Sequence, residues 1–166
     1  MSHKRSSHTI LAIAPSSRGF GFAVLEGKAL VDWGCRGVKG DKNAATVTKI
    51  RNLISFYTPT LLIIQDYSAK PTRRSERIRL LGIAIASLAA DCGLPLKLVP
   101  HLKLQRVFFG KGKGTKHEIA QVLATRFPEE LGPLLPPERK PWMPQHPRTD
   151  MFDAIALAIS QATAAQ

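Results

Sequence analysis

The first forty positions carry their apolar residues in short strand-like runs, and most of the rest of the chain carries them at helical spacing. Thr9 to Ile13 is a short apolar run, Gly19 to Leu25 alternates Phe20, Phe22 and Val24 with smaller residues, and Ala29 to Val38 carries Leu30, Trp33 and Cys35. The turn-like Glu26-Gly27-Lys28 joins the second and third runs into a hairpin. Gly34 and Gly37 mark the third as an edge strand or a bulged one. Ala44, Val47, Ile50, Ile54 and Tyr57 then recur every three or four residues, which predicts a helix with Asp41 and Asn43 as candidate N-caps. Thr60 to Ile64 is a continuous apolar run ending in Gln65-Asp66, as in a strand buried on both faces. Ile78, Leu81, Ile85, Leu88 and Cys92 stripe a helix from Arg77 to Cys92, stopped by Gly93 and Pro95.

Leu96 to Val99 reads as a further strand and His101 to Phe109 as a helix. After Gly110-Lys111-Gly112-Lys113-Gly114, Thr115 and Glu118 form a capping box for a helix reaching about Phe127. Pro128 to Pro147 holds seven prolines and reads as a long extended excursion, and Arg148 to about Thr163 is a closing Ala-rich helix. The order β-β-β-α-β-α-β-α-α-α predicts an α/β fold with a mixed five-stranded sheet, antiparallel at one edge and flanked by helices. That is the ribonuclease H-like arrangement. Residues 1–8 read as a flexible basic arm and 9–166 as a single domain. Phe20, Phe22 and Trp33 are assigned to the core.

Composition narrows the function. Hydrophobic residues make up 44% of the 166, enough for a core. No apolar run approaches the roughly 20 residues of a membrane helix, and the polar start lacks a signal-peptide segment. Cys35 and Cys92 form neither a disulfide framework nor a metal motif. The expectation is a cytoplasmic, nucleoid-associated protein. Twenty-four Lys and Arg against 12 Asp and Glu leave a charge of +12, which points to a polyanion. Nucleic acid fits better than a membrane, because no basic amphipathic helix with an aromatic face is present.

Four segments carry a family resemblance. Ile10-Leu-Ala-Ile-Ala14-Pro-Ser-Ser-Arg18-Gly-Phe-Gly21-Phe resembles the opening of RuvC-type Holliday junction resolvases, where a strand ends in an Asp-Pro-Gly-type turn. Leu62-Ile-Ile-Gln65-Asp66 is similar to that family's central strand, which ends in a metal-binding Glu. Arg148-Thr-Asp150-Met-Phe-Asp153-Ala-Ile-Ala-Leu-Ala resembles its closing helix, with two Asp residues three apart. Lys116, after the glycine-rich loop, looks like the basic residue the family places beside its active site.

The resemblance implies phosphodiester hydrolysis assisted by Mg2+ or Mn2+. Two divalent ions about 3.5–4 Å apart activate water, stabilise the leaving oxygen and neutralise phosphate charge, and magnesium requires oxygen ligands from clustered acids. Asp150 and Asp153, at i and i+3 on one helix face, are the candidate metal ligands. Asp66, Asp150, Asp153 and Lys116 are the candidate catalytic set. The chain departs from the family at the two strand ends, where Ala14 and Gln65 stand at the expected carboxylate positions. Asp66 replaces Gln65 only if the strand is bulged, since successive side chains point to opposite faces. Three explanations stay open: a natural non-cleaving relative, a chain altered at the site, or a different set of acids. Asp150 alone also suits helix N-terminal capping, a reading that leaves Asp153 unexplained.

Basic residues cluster after the strands that end at this site. Lys70, Arg73, Arg74, Arg77 and Arg79 form one group; Lys97, Lys103, Arg106, Lys111, Lys113 and Lys116 form another. With Arg18, these supply the candidate nucleic-acid contacts: Arg18, Lys70, Arg73, Arg74, Arg77, Lys103, Arg106, Lys111, Lys113 and Lys116. The glycine-rich loop lacks P-loop spacing, which excludes nucleotide triphosphatase chemistry of that type. His101 and His117 read as surface residues. Trp142, beside Arg139 and Lys140, is able to stack on an unpaired base, but its favoured role is to anchor the proline-rich excursion on the core. Two function classes follow: a structure-specific endonuclease acting on branched DNA, or a non-cleaving junction-binding scaffold. An RNA-binding protein ranks third. The resemblance also implies a homodimer, with the Arg77–Cys92 helix as its interface, and no membrane partner.

Overall fold

The computed structural model describes residues 8–67 and 76–164. Strands β1 (Thr9–Pro15), β2 (Gly19–Glu26) and β3 (Ala29–Gly37) form an antiparallel meander. Strands β4 (Leu61–Gln65) and β5 (Leu96–Val99) add in parallel, giving one five-stranded sheet of order β3-β2-β1-β4-β5. Every residue of β1 is buried, as its continuous apolar run requires of a central strand. Strand β3 lies at the edge, as its glycines suggested, but its register shift falls at Val31, opposite Val24/Leu25, and not at Gly34 or Gly37. Its position also leaves Trp33 only half-buried, where the sequence had placed it in the core.

Helices α1 (Lys42–Tyr57) and α2 (Glu76–Asp91) cover one face of the sheet. Asp41 caps α1 by accepting from the Ala44 N–H at 3.1 Å. Asn43 lies inside the helix and serves a different purpose described below. On the other face lie α3 (His101–Phe109), α4 (Lys116–Arg126) and α6 (Thr149–Ala164), with α6 packed directly on β1 and β2. The Thr115/Glu118 capping box is present at the start of α4. None of the described helices is long and apolar enough to cross a membrane.

The proline-rich stretch is not extended throughout. Pro128–Leu131 forms a short helix, α5, followed by a 3-10 turn at Gly132–Leu134. Proline at the first helical position is pre-set for that geometry, and fully buried Leu131 holds the segment to the core. Trp142 does not anchor the excursion: it is 77% exposed. Of the expected basic arm, residues 1–7 lie outside the described part. His8 is tied down, its carbonyl accepting from the Gly27 N–H at 3.0 Å and its ring bonded to the Thr60 hydroxyl at 2.6 Å.

Candidate functional site

The site forms where β1 ends, and glycine decides how closely α6 approaches it. Gly21 pairs with Ala14 across the β1–β2 ladder. A Cβ at Gly21 would lie 2.0 Å from the Asp150 carbonyl oxygen, so only glycine lets the first turn of α6 rest on the strand backbone. Asp150 is therefore buried at 6% exposure, while Asp153, one turn further along the same helix face, is half-buried. Glycine spacing was visible in the sequence; its role as a seat for the helix was not.

Strand register places Gln65 beside Ala14. Ile13 pairs with Ile64, so the next rung brings the two positions together. Ala12, Ala14 and Ile63 all belong to the core layer beneath α6, and period-2 alternation puts Gln65 on that face too. The Asp66 N–H continues the pairing by donating to the Val99 carbonyl at 2.9 Å. Asp66 itself lies one residue beyond the end of β4. The β1–β4 and β4–β5 registers run without a shift as far as Ile64 and Gln65.

A cleft of about 370 Å³ opens at this end of the sheet, with Arg18, Arg77, Lys116, Asp150 and Asp153 in its walls. Neither Gln65 nor Asp66 lines it. The cations are held by specific acceptors. Arg77 donates to the Ser16 carbonyl at 2.9 Å and to Asn43 Oδ1 at 3.1 Å, while Asn43 Nδ2 returns a bond to the Arg77 carbonyl. Lys42 donates to the Ser17 carbonyl at 2.7 Å, and Arg18 to the Gln145 carbonyl at 3.0 Å. Lys116 Nζ lies 3.1 Å from Asp153 Oδ2. Sequence reasoning missed Lys42 and Asn43, which look like ordinary first-turn residues until α2 packs against α1.

The remaining basic candidates among the described residues do not line the cleft. Arg106, Lys111 and Lys113 line a separate groove of about 690 Å³ with His101 and Gln105. The base of that loop is clamped: Gln105 accepts from the Gly114 N–H at 2.9 Å and donates to the Gly114 carbonyl at 3.2 Å. The Phe109 ring occupies the space a Cβ on Gly114 would need, approaching to 2.2 Å. Lys103 meets Lys97, and burial, the Lys97 charge and their hydrogen bond depress its pKa. Lys70, Arg73 and Arg74 lie outside the described residues. Near the cleft, the exposed Cys35 donates its thiol to the Pro147 carbonyl at 3.3 Å, and partial burial chiefly raises its pKa.

The donor set falls short of a two-ion centre. Among the described residues no group of three or more His, Cys, Asp or Glu side chains is placed to hold a metal ion. Asp150 and Asp153 contribute two carboxylates from one helix, Ala14 offers no oxygen, and Gln65 offers only a neutral amide. What the arrangement does supply is a cationic rim around a small acidic pair.

No protein-family model matches the sequence, and no curated protein matches it either. Solved structures do. The Thermus thermophilus RuvC structure matches with a TM-score of 0.68 at 16% identity, covering 95% of each chain. T. thermophilus RuvC in complex with a Holliday junction substrate matches at 0.66 and 16%, covering 95% of this chain and 94% of that one. The yeast mitochondrial Holliday junction resolvase Ydc2 matches at 0.61 and 11%, covering 94% and 78%. Together with the order of the sheet, these matches identify the fold as RuvC-like, of the ribonuclease H-like class.

Proposed function

We propose that the protein binds branched DNA through the cationic rim at the carboxyl end of its sheet, and that its own acidic centre does not cleave. The observation that carries the reading is the pairing of Arg18, Arg77 and Lys116 around Asp150 and Asp153 with the absence of a carboxylate at Ala14 and Gln65. A structural neighbour, T. thermophilus RuvC, is described in complex with a Holliday junction substrate, which supports the same ligand class here. Recognition rests on shape and phosphate contact, because what the rim presents is Arg18, Arg77 and Lys116. Arg18, Arg77 and Lys116 contact phosphates at the cleft. Lys103, Arg106, Lys111 and Lys113 extend the contact along the neighbouring groove, and Lys70, Arg73 and Arg74 are the remaining candidates. A nucleoid-associated location follows from this ligand.

Two copies acting together suit a symmetric branched substrate. Helix α2 buries Ile78, Leu81, Ile85 and Leu88 but leaves Leu80 and Ile83 about half exposed, at 48% and 57%. That outward apolar strip is the surface we assign to a homodimer, to be checked by sedimentation velocity.

The test uses labelled four-way junction and linear duplex in Mg2+ and in Mn2+. The protein is expected to bind the junction more tightly, with affinity falling steeply as salt rises, and to leave both DNAs intact. An Ala14→Asp, Gln65→Glu double variant, which restores two carboxylates, is expected to cut the junction. Cleavage by the unaltered chain would overturn the non-cleaving reading and return the role to Asp66, Asp150, Asp153 and Lys116. Equal affinity for linear duplex would remove the preference for branches.

A further inference from the structure

Trp142 is 77% exposed although it sits in a part of the chain that is otherwise well held. It lies in a tight turn closed by the Met143 N–H donating to the Lys140 carbonyl at 2.9 Å. Downstream, the Gln145 carbonyl is held by Arg18 at 3.0 Å and the Pro147 carbonyl by the Cys35 thiol at 3.3 Å. Pro137, Pro141 and Pro144 fix three further backbone torsions around it. With the backbone fixed this way, only the two side-chain torsions of the indole remain to be ordered when a planar ligand stacks on it, which favours binding.

Its position says what that ligand is. Pro144 lines the cleft that holds Arg18, Arg77 and Lys116, and Pro141 lines an adjoining cavity of about 380 Å³ bounded by Lys116, Arg139 and Lys140. The turn between those prolines therefore stands between two hollows in which cations outnumber carboxylates, Asp150 and Asp153 lying in the cleft and Glu138 and Asp153 in the cavity. Lys140 Nζ lies 5.5 Å from the indole centroid. An apolar protein groove closing over Trp142 would have to desolvate those charges at substantial cost. A nucleobase flanked by two phosphates satisfies the ring and the cations together.

We propose that Trp142 stacks on an unpaired base of bound DNA and so discriminates branched from continuous duplex. The assignment rests on the branched-DNA reading and refines it. A continuous duplex presents an open base face only at its ends, whereas a junction centre or a frayed branch presents several. Stacking therefore adds affinity for the branched ligand alone, while the phosphate contacts serve both.

The experiment measures affinity of the unaltered chain, Trp142→Ala and Trp142→Phe for a four-way junction and a linear duplex at one salt concentration. In parallel, indole emission is followed in a Trp33→Phe background, where Trp142 is the remaining tryptophan. Trp142→Ala is expected to lose roughly tenfold in junction affinity and to stay within about twofold on duplex, with Trp142→Phe close to the unaltered protein. Junction is expected to quench the emission, and duplex to leave it nearly unchanged. Equal losses on both DNAs, or unchanged affinities with no quenching, would overturn the assignment. If the unaltered chain binds junction and duplex equally while single-stranded DNA quenches Trp142, the branch preference falls and the stacking role stands. Binding to no DNA at all sinks both.

Discussion

The two faces of the sheet are packed by different rules although the same strands supply both. Towards α1 and α2, strands β1 and β2 present Leu11, Ile13, Phe20, Phe22 and Val24, large side chains that fill the space beneath two helices. Towards α6 they present Ala12, Ala14, Gly21 and Ala23 near the cleft, with Ile10 and Leu25 at the far end. The first face is held by side-chain volume and the second by near contact of backbone with backbone, as Gly21 against Asp150 makes plain. Both layers bury apolar side chains, but at the cleft end the small residues of β1 and β2 let α6 approach closely enough to set the site.

Four substitutions test that difference, taken here from the largest expected effect to the smallest. Phe22→Ala empties a fully buried site on the voluminous face. It should lower unfolding free energy by about 3–5 kcal/mol in denaturant titrations, yet leave DNA affinity of the folded protein unchanged. Gly21→Ala forces a methyl group into the Asp150 backbone; about 1–3 kcal/mol of overpacking is expected, accompanied by a clear fall in junction affinity. Equal effects of the two variants on DNA binding would erase the contrast between the faces.

Asp153→Asn removes the partner of Lys116. Both side chains are substantially solvated, at 29% and 49%, so stability should move by no more than about 1 kcal/mol. DNA affinity should rise, since one negative charge leaves the rim and Lys116 is released; filter binding across a salt series reads this directly. On the opposite face, Tyr57 donates to Asp32, and burial together with that hydrogen bond and charge raises its pKa to about 12. Folding therefore favours the neutral phenol. Its contribution is complete below about pH 10, where the unfolded chain still holds the proton, and is lost as pH rises from there through about 12. Tyr57→Phe should flatten that alkaline limb in pH-dependent melting and leave DNA binding alone.

Elements were legible in the sequence wherever a local signal met a tertiary demand. Strand β5 and helix α3 occupy Leu96–Val99 and His101–Phe109 because Pro100 separates them and Gly110, at φ 62, ends the helix. The Thr115 capping box was readable because both halves of its reciprocal bonding lie within four residues. Pro128–Leu131 was misread because proline density signals extended chain, while one proline at a helix start signals the reverse. The burial of Leu131 decides between them, and that is a long-range fact. Trp142 was misread for a related reason: an aromatic in a loop is usually tucked inward, and nothing local reports which way a turn faces. At the site, the missing carboxylates at Ala14 and Gln65 were plain from residue type alone. That Gln65 shares the α6 layer followed from period-2 alternation along β4. The Arg77–Asn43–Ser16 network was not legible, because it joins three segments that meet only after the sheet is assembled.

The Gln105–Gly114 clamp separates two duties that would otherwise interfere. Lys111 and Lys113 ride on a tether whose far end is pinned, so movement of the tether is not passed on to the helix that carries Lys116. Lengthening or recharging the stretch between Gly110 and Gly114 is therefore expected to alter the reach of Lys111 and Lys113 while the lysine beside Asp153 keeps its station.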